Sequence, residues 1–235
     1  MVVLAPQRNA RRGRPKILSD DQRRRQILKA AYAIFMEVGY SSTSIDAVVR
    51  KCRISKQTFY RIFADKSELF VDLITDHRRT MLDLPRPSDE DVAADIGLAR
   101  IFGVDLDEAA DFERHRFVHQ FLKEAHKEQE AVALLRKYGI DKAQADLSDW
   151  LAEQCRKGVL EMSDTLHAAA ILMEMIFGPM SNPYLDPEHP SIYERRKHIR
   201  ICINLFLNGA IPSSSSVPFP ARKMHRKTLT KTGPV

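Results

Sequence analysis

The sequence predicts an all-α protein: an N-terminal three-helix, helix-turn-helix unit joined to a larger helical body. Three observations predict it. Apolar residues return at the 3.6-residue spacing of amphipathic helices from Ile27 to Leu207. No stretch shows the alternating pattern, with a period of two, that marks a strand. Between Thr43 and Lys66, two short helical patterns meet at a break of only three residues, Cys52, Arg53 and Ile54.

Composition narrows the class. A chain of 235 residues, 44% of them apolar, is long enough to bury a stable core. No apolar run approaches the roughly 20 residues a membrane helix needs, and M-V-V-L-A-P-Q-R is shorter than a signal-peptide apolar region, so a cytoplasmic protein with no membrane partner is expected. Cys52, Cys155 and Cys202 lie far apart without a C-x-x-C pair, which suits buried thiols better than a disulfide framework or a zinc site. Charge is strongly partitioned. Residues 1–63 hold 14 Lys and Arg against 4 Asp and Glu, residues 64–210 hold 18 against 27, and residues 211–235 hold 5 against none. A basic front on an acidic body points to a polyanion binder attached to a domain with another task.

Residues 1–18 read as a disordered basic arm, with Arg8, Arg11, Arg12, Arg14 and Lys16 around Gly13 and Pro15. The R-G-R-P core resembles the AT-hook, whose arginines enter the minor groove of A·T-rich DNA, making Arg12 and Arg14 candidate DNA contacts; a solubilising tail explains them equally well. Ser19 opens the first helix with Gln22 as its capping-box partner, and Asp20 and Asp21 suit the positive end of the helix dipole. Ile27, Ala31, Ile34, Phe35 and Val38 form its expected buried stripe, and Gly39 fits a left-handed stop. Arg23, Arg24 and Arg25 are near enough to that helix's start to touch phosphates.

Thr43 is expected to cap the second helix, with Asp46 completing a capping box and Ile45, Val48 and Val49 turned inward. Ser55 then caps a third helix running to about Phe63. In it Phe59 and Phe63 share the buried side, leaving Lys56, Gln57, Thr58, Tyr60 and Arg61 toward solvent. Asp65, with Glu68, caps a fourth helix whose stripe Leu69, Phe70, Leu73, Ile74, His77 and Met81 continues to Pro85. The domains expected are therefore an arm at 1–18, the helix-turn-helix unit at 19–65, a helical body at 66–210 and a basic tail at 211–235.

The solvent face of the third helix suits DNA. Lys and Arg donate to guanine O6 and N7, Gln pairs with adenine, the Thr methyl meets the thymine methyl, and a tyrosine hydroxyl donates to a phosphate oxygen. A plain three-helix bundle explains the apolar pattern but not the concentration of positive charge at this end.

R-G-R-P, I-L-K-A-A-Y-A-I-F-M-E-V-G-Y, T-S-I-D-A-V, I-S-K-Q-T-F-Y-R-I-F and D-K-S-E-L-F together resemble the tetracycline-repressor (TetR) family of bacterial transcription regulators. The resemblance covers roughly the first 75 residues. It implies Thr43 and Lys66 on phosphates, Ser55 at the recognition-helix cap, Lys56, Gln57, Thr58 and Arg61 at or near base edges, and Tyr60 on the backbone. It also implies a bacterial, nucleoid-associated regulator. Three positions depart from the family pattern. Arg53 stands where the turn glycine is usual and must accept either a positive φ or a different turn. Gln57 replaces a frequent glycine and Ile62 a common histidine, so the operator cannot be borrowed from relatives.

Beyond Pro87 the expected helices run roughly over 89–102, 106–126, 128–156, 164–178 and 191–208, with a proline-rich loop at 179–190. The last two are apolar around most of their surface, so they must be covered on several sides. The resemblance implies that they pair with their copies across a twofold axis, making a homodimer; filling the monomer core is the alternative. F-V-H-Q-F-L-K-E-A-H to C-R-K-G-V-L-E-M-S-D is similar to the C-terminal domain of AefR-like TetR regulators, which implies a small, mostly apolar effector among the middle helices. Phe102, Phe117, His119, Phe121, Trp150, Met173 and Phe177 are the candidate pocket residues.

Asp111, His115 and His119 are each four apart on one helix, a spacing that permits metal binding but lacks a fourth ligand, so no metal and no cofactor are expected. No nucleophile with a matching base and no phosphate-cradling glycine loop appear, which argues against an enzyme. The reading is a homodimeric, sequence-specific regulator of transcription, most simply a repressor released from a palindromic operator by an effector. A sequence-indifferent architectural DNA binder, dominated by arm and tail, is the alternative.

Overall fold

The computed structural model describes residues 18–87, 89–123, 128–178 and 191–208. Within them every regular element is helical: α1 (Asp20–Ser42), α2 (Ile45–Cys52), α3 (Lys56–Tyr60), α4 (Lys66–Met81), α5 (Ala94–Ile101), α6 (Glu108–Lys123), α7 (Gln129–Leu134), a π-helical stretch (Leu135–Ile140), α8 (Asp141–Arg156), α9 (Thr165–Phe177) and α10 (Ile192–Asn208). The basic arm with Arg12 and Arg14, the loop at 179–190 and the basic tail lie outside the described residues.

Local chemistry accounts for the helix ends. The Ser19 hydroxyl accepts from the Gln22 N–H at 3.2 Å, and the Gln22 side chain accepts from the Ser19 N–H at 3.0 Å, the reciprocal box expected at α1. Gly39, at φ 78°, breaks the helical path near the far end of α1. The stripe shifts there: Val38 is 43% exposed, and Tyr40 enters the core instead. α2 starts later than expected, because Ser44 rather than Thr43 caps it, accepting from the Ala47 N–H at 3.1 Å. Thr43 is only 1% exposed, and its hydroxyl donates to the Gly39 carbonyl at 2.6 Å. That bond closes the end of α1.

The turn into α3 takes the positive-φ solution. Arg53 sits at φ 54°, ψ 48°, a left-handed conformation that costs a side-chain-bearing residue on the order of 1 kcal/mol. Ser55 caps α3 by accepting from the Thr58 N–H at 3.1 Å. α3 is shorter than expected, but the tight turn after it, with the Phe63 N–H bonded to the Phe59 carbonyl at 2.9 Å, still delivers Phe63 to the core. Asp65 accepts from the Glu68 N–H at 2.8 Å, while the Glu68 carboxylate reaches back one residue further than a capping box requires, to the Ala64 N–H at 2.6 Å.

Two buried clusters result. The first joins Ile27, Phe35, Val48, Phe59 and Phe63 of the helix-turn-helix unit to Phe70 of α4, Phe117 and Phe121 of α6 and Leu135. It therefore draws on both sides of the expected boundary at residues 65 and 66. The second gathers Leu98, Ile101 and Phe102 with Leu147, Leu151, Leu172, Ile176 and Ile199 from α8, α9 and α10. α5 and α8 approach closely at Gly97, where a β-carbon would lie 2.7 Å from the Trp150 ring.

A buried charged junction ties the clusters together. Asp111 of α6 is fully buried, with the Arg114 Nε 3.0 Å and the Arg195 Nε 2.8 Å from its Oδ1; the Arg195 contact lacks hydrogen-bond alignment and is mainly Coulombic. Arg114 also donates to the Thr80 and Met81 carbonyls at the end of α4, each at 3.4 Å, and to the Phe102 carbonyl at 3.0 Å. Arg195 reaches that same Phe102 carbonyl from α10 at 3.4 Å. One carboxylate thus balances two buried guanidinium groups that hold α4, α5, α6 and α10 together. Removing one member of such a set leaves buried charge uncompensated. Asp111→Ala should lower unfolding free energy by about 3 kcal/mol or more in urea titrations; a loss below about 1 kcal/mol would show that the junction is not required.

Candidate DNA-reading face and ligand cavity

α3 presents a divided surface because Phe59 is fully buried while its neighbours are not. Lys56, Gln57, Tyr60 and Arg61 are exposed, Tyr60 by 53%, and Thr58 is half-buried beside the Ser55 cap, their hydroxyls 2.9 Å apart. Two of the cations are held by carboxylates of neighbouring helices. Lys56 Nζ lies 2.7 Å from Asp46 of α2, and Arg61 lies 2.8 Å from Asp20 in the first turn of α1. The hydrogen bond to Asp46 raises the Lys56 ammonium above its ordinary value. These are solvent-exposed pairs, which contribute little to stability and give way readily to a phosphate.

The flanking candidates are arranged differently. Lys66 stands in the first turn of α4 with Nζ 4.2 Å above the Tyr40 ring and 3.3 Å from the Ser41 carbonyl. Thr43 does not share the exposed face, since its side chain is buried, and a phosphate contact through its hydroxyl is replaced by the bond to Gly39. Arg24 is also committed elsewhere. It pairs with Asp72 of α4 at 2.5 Å, donates to the Ile62 carbonyl at 3.2 Å and lies 4.5 Å over the Phe63 ring, so it fastens the helix-turn-helix unit to α4.

A cavity of about 150 Å³ lies between α4, α6, the π-helical stretch, α8 and α9. Of the pocket residues expected from sequence, Phe117, His119, Met173 and Phe177 line it. Phe102, Phe121 and Trp150 do not. Phe102 and Phe121 lie in the second and first cores off the cavity wall, and Trp150 packs against Gly97 on α5. Ile74, His77, Arg78 and Met81 bring the second half of α4 into the wall, and Gln144 of α8 joins them. His77 and Met81 carried a sequence signal, being four apart on the α4 stripe; Gln144 carried none. The π-helical stretch contributes Leu135, Gly139 and Ile140, and such departures from α-helical winding often occur at functional sites. Asp111 and His115 share a helix face, but the Asp111 carboxylate is occupied by arginines. Among the described residues no group of three His, Cys, Asp or Glu side chains is placed to hold a metal ion.

Residues 27–73 match the bacterial regulatory proteins of the tetR family, and residues 114–209 match the C-terminal domain of AefR-like transcriptional repressors. The chain belongs to the TetR family. Among curated relatives of this TetR-family chain, the HTH-type transcriptional regulator YhgD of Bacillus subtilis is 38% identical over 53 residues, 23% of this chain and 28% of the relative. The transcriptional activator FasR of Mycolicibacterium smegmatis is 33% identical over 60 residues, 26% of this chain and 27% of the relative. The matched stretch thus spans under a third of either curated relative. The solved structure of the flavonoid-responsive regulator FrrA superposes with a TM-score of 0.56 at 23% identity, over 80% of this chain and 96% of that one, and shares the fold. The curated relatives are regulators of transcription, a non-enzymatic role. No helix among the described residues is long and apolar enough to cross a membrane.

The cavity wall contains a histidine with a displaced titration. Burial pushes the His77 imidazole down to about 4 from an ordinary 6.5, against the raising influence of the Arg114 backbone. Between those pH values the unfolded chain binds a proton that the folded chain refuses, so this contribution to stability is complete above pH 6.5 and is lost as pH falls toward 4. Its full size is about 3 kcal/mol at most. Chemical denaturation from pH 7 to 4 should show a shallower fall for His77→Phe than for the parent; parallel curves would mean that His77 titrates normally.

Proposed function

We propose that this TetR-family chain acts as a homodimer whose two α3 helices read the halves of a palindromic operator, and that it represses transcription until a small molecule in the cavity releases it. The observation that carries the reading is the division of α3: Phe59 fully buried, Lys56, Gln57, Tyr60 and Arg61 exposed on one side of a basic unit. Lys56, Gln57, Thr58 and Arg61 are assigned to base edges or their immediate surroundings, with Ser55 holding the helix start. Tyr60 and Lys66 are assigned to phosphates, and Arg12 and Arg14 to the adjoining minor groove.

Exposed apolar side chains support the dimer. Leu166 and Ile171 on α9, and Tyr193, Ile201 and Leu205 on α10, are each more than 40% exposed although they are large and apolar. A second copy covers them in an isologous interface and sets two recognition helices on one face of the duplex. Residues 66–210 then serve dimerisation and effector binding, and residues 1–65 serve DNA. The match to AefR-like repressors favours repression. Release requires that the effector bind the off-register arrangement more tightly than the DNA-bound one. α4 links the sites, since Ile74, His77, Arg78 and Met81 wall the cavity while Leu69 and Phe70 are packed in the first core.

Gel shifts on a genomic fragment selected by the protein test this. Tyr60→Ala and Lys56→Ala should each weaken binding roughly tenfold, and affinity should fall steeply as salt rises. Unchanged affinity in both variants, with no preference for the selected fragment over random DNA, would favour the sequence-indifferent architectural reading instead.

A further inference from the structure

The chemistry of the cavity wall narrows what can occupy it, and this step rests on the reading of the cavity as the effector site. Size comes first. The volume is about 150 Å³, and a cavity on the order of 150 Å³ takes one benzene-sized ring. A long acyl chain or a fused-ring system fits only if the walls move.

Charge comes second. Arg78 is the one Lys or Arg in the described lining, and it is ion-paired with Asp146. Glu174 is exposed. His115 Nδ1 lies 2.8 Å from the Asp111 carbonyl. Burial holds the imidazoles of His77 and His119 below their ordinary values, His119 also through Lys123. The one guanidinium here is already balanced by Asp146, although its Nε makes no hydrogen bond, so a buried carboxylate would compete with Asp146 for Arg78, and an unbalanced buried charge is costly.

Shape and polarity come third. The His77 ring stacks on Phe117 with centroids 4.1 Å apart and planes at 29°, so part of the wall is built from flat aromatic faces. Phe177 and Met173 add apolar and polarisable surface. Neutral polar groups on this lining include the imidazole of His119, the side-chain amide of Gln144 and the buried Nε2 of His77, which makes no hydrogen bond.

We propose that the effector is a neutral, single-ring aromatic bearing one hydroxyl group, a phenol. Its ring packs among Phe117, Met173 and Phe177, and a turn of the His77 imidazole brings the now covered Nε2 onto its hydroxyl, with Gln144 as the second polar neighbour. The neutral hydroxyl satisfies a polar wall group without bringing charge into the cavity, which neither a carboxylate nor a plain hydrocarbon does.

Calorimetry on the full-length protein at pH 7 tests this with four probes: 4-methylphenol, toluene, benzoate and dodecanoate. 4-Methylphenol should bind once per chain, at least about tenfold more tightly than toluene or benzoate. His77→Phe should keep toluene binding, which also verifies folding, and lose the preference for the phenol. Ala143→Phe, which fills the cavity from α8, should abolish binding of both rings. Tighter binding of benzoate or dodecanoate, or no saturable binding of 4-methylphenol, overturns the proposal. Gel shifts with the same probes separate the two readings. If 4-methylphenol binds without loosening DNA, the ligand class stands and effector release falls; if dodecanoate alone binds and releases DNA, release stands and the ligand class falls.

Discussion

The aromatic cluster of Phe35, Phe70, Phe117 and Phe121 is the constraint on which the rest of the molecule depends. Phe35 meets Phe121 at 4.5 Å and Phe117 at 5.2 Å, while Phe70 meets Phe35 edge-on at 5.5 Å. Pairs of this kind add roughly 0.5–1.5 kcal/mol each beyond the burial of their area. More important than the energy is the geometry, because these rings come from α1, α4 and α6. The helix-turn-helix unit is therefore packed directly on the body, and its orientation is set by where α4 lies. Dense interiors yield little to local displacement, and Ile74 of the cavity wall belongs to the same buried cluster as Phe70 and Phe35.

Electrostatics is used in opposite ways at the two ends of this system. At α3 the pairs Lys56 with Asp46 and Arg61 with Asp20 are exposed, screened and weak, which keeps the cations in place without withholding them from a polyanion. At the far end of α4 the carboxylate of Asp111 is enclosed with Arg114 and Arg195. There the guanidinium of Arg114 holds the last carbonyls of α4, and Arg195 brings in α10, the helix whose outer face is assigned to the partner copy. α10 and the end of α4 thus share a carboxylate, which ties the helix proposed to meet the partner copy to the helix that carries the helix-turn-helix unit.

Sequence pattern revealed the all-helical class, the order of the helices and the inward pair Phe59 and Phe63, because these rest on periodicity and local capping. It also exposed Arg53 as the place where the turn must bend to a side chain, and the positive φ there is the outcome. What it mistook were matters of tertiary context. Thr43 and Ser44 are both good caps by chemistry, and only the closeness of the Gly39 carbonyl decides that Thr43 turns inward. Phe102, Phe121 and Trp150 are aromatic and central, but whether a buried ring fills a core or faces a cavity depends on helices distant in sequence. The buried junction had no sequence signature, since Asp111, Arg114 and Arg195 resemble surface charges until the fold brings Arg195 of α10 to Asp111 of α6. The π-helical stretch carried no sequence signal either; α4 packs close on it, since a β-carbon at Gly139 would lie 3.3 Å from Ile74.

The central claim is that α3 enters the major groove twice, on a twofold axis. Methylation interference on a bound operator tests it directly, because guanine N7 lies in the major groove and adenine N3 in the minor groove. The account predicts that N7 methylation blocks binding at two symmetry-related segments about one helical turn or a multiple apart. Interference confined to adenine N3, or a single segment without its symmetry mate, would contradict it.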